Sequence, residues 1–148
     1  QTKPKRYLAD PSLAVAALGL SPQGLMEDWQ TFGLIFENLC LRDLTVYARA
    51  HELARPIPVR YYRDDYGLEV DAIVELADGR WAAFEIKTSE SKVAPAVANL
   101  KRLRKKLCES PRVQMKPPAF MAVITGICKY VRVVEEGIYV IPIRALTA

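Results

Sequence analysis

Residues 69–87 read EVDAIVELADGRWAAFEIK. Two mostly apolar runs, 68–76 and 81–88, flank Asp78-Gly79, a dipeptide suited to a tight turn between antiparallel strands. Alternate side chains of a strand lie on opposite faces. Glu69, Asp71, Ile73 and Glu75 therefore share one face, and Val70, Ala72, Val74 and Leu76 the other, which reads as plain core. In the second run Ala82, Phe84 and Ile86 share a face, while Trp81, Ala83, Glu85 and Lys87 lie opposite. Pairing through the turn brings Asp71 close to Glu85 and Lys87. Isolated charges are costly to bury, so such a group must be paired, bind a metal or shift its pKa.

Residues 59–63 form a further strand, joined to the first run by Asp64-Asp65-Tyr66-Gly67, so residues 59–88 read as an antiparallel meander. Upstream, residues 25–53 carry apolar side chains at helical spacing (Trp29, Phe32, Phe36, Leu39, Cys40, Leu44 and Tyr47) and end before Pro56 and Pro58. A break at 19–24 precedes this long helix. Asp10-Pro11 reads as an N-cap and first turn of a short helix running to Leu18, after a short strand at 5–9. Downstream, 93–108 is a helix with Pro95 in its first turn, 111–118 a loop, and 119–125 a buried strand. Short strands follow at 130–134 and 137–141. The fold class is α/β, a mixed central sheet flanked by helices, with a long N-terminal helix.

The chain has 148 residues, 51% hydrophobic, a size that fits one domain. Its formal charge of +4 is compatible with nucleic acid without arguing for it. The densest basic run, Lys101 to Lys106, reads either as a solvated helix face or as a phosphate contact. Three scattered cysteines suit reduced thiols of an intracellular, cytoplasmic protein, and none of them pairs at zinc-ligand spacing. His51, the single histidine, reads as a surface residue and excludes catalytic arrangements needing another imidazole. Nothing in the sequence approaches a membrane span, and no P-loop is present, so ATP hydrolysis is not expected of this chain. The start at Gln1 is consistent with a piece of something longer.

Asp71 and Glu85 suit a hard divalent cation, which prefers oxygen ligands. Lys87 beside it can orient or deprotonate a water and offset charge on a phosphate. Glu37, on the long helix, can add a third carboxylate to the metal. Each residue has a plainer alternative. Glu85 and Lys87 can form an edge-strand ion pair, Asp71 can cap a turn or pair with Arg63, and Glu37 can pair with Arg42 or a lysine.

A helical Glu, then a strand Asp, a turn and Glu-x-Lys, in that order, resembles the PD-(D/E)xK nuclease superfamily. More narrowly, the chain resembles the C-terminal domain that follows a AAA+-type ATPase module in many bacterial and archaeal proteins. Residues 6–11 (RYLADP), 33–39 (GLIFENL), Tyr62-Arg63, 69–71 (EVD) and 84–87 (FEIK) carry this likeness. Val70 stands where the superfamily's name has Pro. The resemblance implies a restriction-endonuclease-like core over residues 1–148 and a Mg²⁺- or Mn²⁺-dependent phosphodiesterase acting on DNA or RNA. Asp71, Glu85 and Glu37 would bind metal and Lys87 would position water. It also implies an ATPase domain of the parent chain as partner, with a homo-oligomer possible. Two other functions stay open: a non-catalytic module that uses the same fold to bind nucleic acid, a partner or the ATPase domain, and a scaffold or oligomerisation domain.

Overall fold

The computed structural model describes residues 5–111, 115–126 and 128–146. In chain order the elements are α1 (Pro11–Ala17), α2 (Pro22–Glu27), α3 (Trp29–Ala50), β1 (Ala54–Arg63), β2 (Glu69–Leu76), β3 (Trp81–Lys87), α4 (Val93–Cys108), β4 (Phe120–Thr125), β5 (Arg132–Glu135) and β6 (Ile138–Pro142). The six strands form one mixed sheet in the order β1-β2-β3-β4-β6-β5. The expected meander, β1 to β3, is antiparallel. The chain then crosses through α4 to β4, which runs parallel to β3, and β6 adds parallel to β4 with β5 antiparallel at the edge.

The two faces of the sheet carry separate cores. On one, Trp81, Ala83, Met121, Val123 and Val140 pack against Val93, Val97, Leu100 and Leu103 of α4. On the other, Ala82, Phe84, Ile86, Ala122 and Ile124 pack against Phe36, Cys40, Leu41 and Leu44 of α3. The central strand β3 is therefore covered on both sides, and six of its seven residues are buried. A strand of that kind reads as an almost continuous apolar run, which is why Glu85 stands out in it. The same fact removes the edge-strand reading of Glu85 and Lys87.

Several expectations at the N-terminal end change. Residues 5–9 form no strand; Lys5 to Leu8 run as an irregular strap past α3. The helix expected over 25–53 is two helices. Asp28 interrupts it, its carboxylate accepting from the backbone N–H of Gln30 and Thr31, and so caps the start of α3. Residues 22–24, expected as part of the break, open α2 instead: Ser21 caps Gly24 and Pro22 occupies the first turn, where its missing N–H costs nothing. The short helix after Asp10 forms as expected, as does α4 with Pro95 in its first turn. Residues 112–114 of the expected loop lie outside the described residues.

The parity of β2 also differs from strict alternation. Val59 and Arg60 pair with Val74 and Ile73, but Tyr62 and Arg63 pair with Val70 and Glu69, so β2 carries one extra residue around Asp71-Ala72. This is a β-bulge. Val70 consequently joins the α4-side core with Leu68, while Ala72 and Val74 join the α3-side core. Bulges bend a strand and re-aim a side chain, and the side chain here is Asp71.

Candidate active site at the Asp71 bulge

The register Ala72 opposite Phe84 carries Asp71 alongside Glu85 one step further along the hairpin. Asp71 Oδ2 accepts from the Ile86 backbone N–H at 2.8 Å and from Lys87 Nζ at 2.9 Å. The same ammonium lies 2.5 Å from Glu85 Oε2. Asn99 of α4 reaches the other Glu85 oxygen at 3.4 Å. One cation thus holds two carboxylates, of which Asp71 is 7% and Glu85 1% exposed. Lys87, only half-buried, is the member of the three that meets solvent most openly. Asp71 does not pair with Arg63.

The electrostatics report crowding of negative charge. Burial first, and then the Asp71 charge, push the Glu85 carboxyl up to about 7, against the opposing pull of Lys87. Burial pulls the Lys87 ammonium down, but Asp71 and Glu85 outweigh it and its pKa is raised. Two hard oxygen donors whose repulsion one ammonium has not relieved are a donor set that fits a divalent cation.

Glu37 is placed differently. Its carboxylate accepts from the Tyr7 hydroxyl at 2.7 Å and lies 3.4 Å from Lys5 Nζ, not against Arg42. Lys5 also pairs with Glu69, so a second acidic pair is bridged by a lysine beside the first. Burial is the largest influence on the pKa values of Lys5 and Tyr7, raising that of Tyr7 and opposing the rise of Lys5, while the neighbouring carboxylates Glu37, Glu69 and Asp71 raise both. Among the described residues no three Asp, Glu, His or Cys side chains gather tightly enough to hold a metal ion. The arrangement therefore brings together Asp71, Glu85 and Lys87, and leaves Glu37 with the strap.

Asp71 also lines a cavity of about 820 Å³ between α3, β1 and the strap. Arg42, Arg49, Arg60 and Arg63 border it. They are scattered in the sequence and form no run, so charge patterning passes over them; only the strand and helix phases, once known, gather them. The Lys101 to Lys106 run, by contrast, sits on α4, where Lys101 pairs with Glu135 and Lys106 with Asp64. It does not line the cavity. Asn99, too, carries no signal in the sequence.

Among the described residues no helix is long and apolar enough to cross a membrane. No curated protein and no solved structure matches the chain. Residues 32–146, from the first turn of α3 to just beyond β6, match the family model described as a domain of unknown function (DUF4143), and the chain belongs to that family.

Proposed function

We propose that this domain is a metal-dependent phosphodiesterase of the PD-(D/E)xK nuclease superfamily, acting on DNA or RNA as the C-terminal domain of a AAA+-type ATPase protein. The observation that carries the reading is the single Lys87 ammonium at 2.9 Å from Asp71 and 2.5 Å from Glu85, beside a cavity bordered by arginines. Asp71 and Glu85 would hold Mg²⁺ or Mn²⁺. Bound there, the cation would offset charge on a phosphate and acidify water. The residues supply the rest. Asp71 is fixed by the Ile86 N–H, so its free edge is presented at a constant angle. Lys87, released from one carboxylate, faces the scissile phosphate, orients the attacking water and offsets charge that develops on the phosphate. Glu37 acts one step further out, through its contacts with Tyr7 and Lys5.

A second reading, a non-catalytic nuclease-like module binding nucleic acid, a partner or the ATPase domain, is favoured by one observation: both carboxylates are almost fully buried under Lys87. Catalysis needs them reachable from the cavity side. The test is Mg²⁺- or Mn²⁺-dependent cleavage of plasmid and of single-stranded substrates, with Asp71→Ala and Lys87→Ala as controls. The nuclease reading expects cleavage lost in both variants and in chelator. No cleavage by the unsubstituted chain, or cleavage that survives both substitutions, removes it.

A further inference from the structure

Asn38, on α3, is 7% exposed, and among the described residues neither its side-chain nitrogen nor its oxygen has a hydrogen-bond partner. Buried amides are almost always satisfied, and an unmet polar group costs about 1–3 kcal/mol, so this one calls for an explanation. Its position offers one. Asn38 lines the 820 Å³ cavity on one side and a smaller cavity of about 350 Å³ on the other, with Lys5, Tyr7 and Leu8 of the strap bordering both. At the larger cavity, Arg49, Arg60 and Arg63 are exposed and have no ion-pair partner among the described residues, whereas Arg42 is tied to Asp43 and Asp10.

We infer that the cavity between α3 and β1 takes a single-stranded stretch of nucleic acid, its phosphates on Arg49, Arg60 and Arg63 and the edge of one base on the Asn38 amide. The inference rests on the nuclease reading for its direction, since the cavity leads to Asp71, but it is a separate claim about which substrate form binds. An amide with donor and acceptor both unmet matches a base edge that itself offers one of each. Paired bases inside a duplex cannot be brought to a buried amide, whereas an unstacked base can be splayed into a pocket and read on its edge. The volume agrees, because about 820 Å³ is the size of a small-molecule pocket and takes a nucleotide or two. The base meets Asn38 where the Tyr7 and Leu8 side chains give way. Tyr61, exposed at the cavity wall, offers a ring face to the neighbouring base.

Fluorescence anisotropy tests this with the unsubstituted chain in chelator, using labelled oligothymidylate of about a dozen nucleotides and a duplex of equal length. The single strand is expected to bind more tightly than the duplex. Asn38→Leu is expected to weaken single-strand binding by about tenfold while leaving thermal stability unchanged or raised, because it removes the unmet amide. A merely structural asparagine would lose stability instead. Asn38→Ser, a smaller side chain, supplies the same comparison if leucine disturbs α3. Arg60→Ala with Arg63→Ala is expected to reduce the salt slope by about 1.4, two phosphate contacts at ~0.7 each. Equal or tighter duplex binding, or unchanged affinity in both Asn38 variants, overturns the inference. Single-strand binding without any cleavage retains it and removes the nuclease reading; cleavage of duplex without single-strand preference does the reverse.

Discussion

Lys87→Met is expected to lower the stability of the domain by about 3 kcal/mol, since removing one partner of a buried ion pair leaves an uncompensated buried charge. Here it leaves two. Asp71 and Glu85 would face each other with the Ile86 N–H and the distant Asn99 amide as their remaining donors. For a domain of this size that is a drop of roughly 6–12 °C in Tm. Methionine keeps the aliphatic stem, so packing changes little and the charge carries the effect. Two further readouts separate the charge argument from simple damage. Acid lessens the deficit, because Glu85 then takes a proton and the repulsion disappears. Mg²⁺ or Mn²⁺ recovers part of the Tm in Lys87→Met if the carboxylates accept a cation, and leaves it unchanged if they do not. Melts by circular dichroism at two pH values, with and without the ion, measure all of this.

Glu85→Gln is expected to act in the opposite direction on stability. The Glu85 carboxyl titrates at about 7 in the fold, raised by burial and by Asp71 from an ordinary value of 4.5. Between those values the folded chain keeps a proton that the unfolded chain has released. The folded state then binds more protons, so stability falls as pH rises through this window and stays lower above it. Glutamine cannot ionise, and its amide can donate to Asp71. Relative to the unsubstituted chain, Glu85→Gln should show almost no difference below pH 4.5 and a gain growing to at most about 3 kcal/mol above pH 7, from ~1.4 kcal/mol per pKa unit. On the nuclease reading, the same variant should also lose metal-dependent cleavage by roughly 100-fold or more, because Glu85 would no longer serve as a cation ligand. Higher stability with lost activity is the trade-off expected of strained active sites. Urea melts across pH, paired with cleavage rates, check both halves. A variant that is less stable at pH 8 would mean that Glu85 is a net structural asset.

The hairpin was the most legible part of the chain because its signals are local: a turn dipeptide, alternation, and two charges in an otherwise apolar central strand. The helix α4 was equally plain, with its proline placed where a first turn tolerates it. What the sequence hid has a common cause. The bulge at Asp71-Ala72 is set by pairing with β1, so no alternation count within 69–76 could place Val70 on the α4 side. The interruption at Asp28 looked like a polar residue on a long helix because the apolar spacing on either side stays in phase. Glu37 lies beside the buried Phe36 and Asn38 of α3, but its partners are Tyr7 and Lys5, on a strap with no periodicity to announce it. The arginines around the cavity come from α3 and β1, and the unmet amide of Asn38 is visible only when its surroundings are known.

On the proposed reading, Asp71, Glu85 and Lys87 form a divalent-cation site and not a self-contained ionic knot. Calorimetric titration of Mn²⁺ into the unsubstituted chain, Asp71→Asn and Glu85→Gln at pH 7 tests it most directly. Saturable binding to the unsubstituted chain is expected, accompanied by proton release as Glu85 ionises, with that binding lost in both variants. Equal heats in all three proteins, with no proton release, would contradict it.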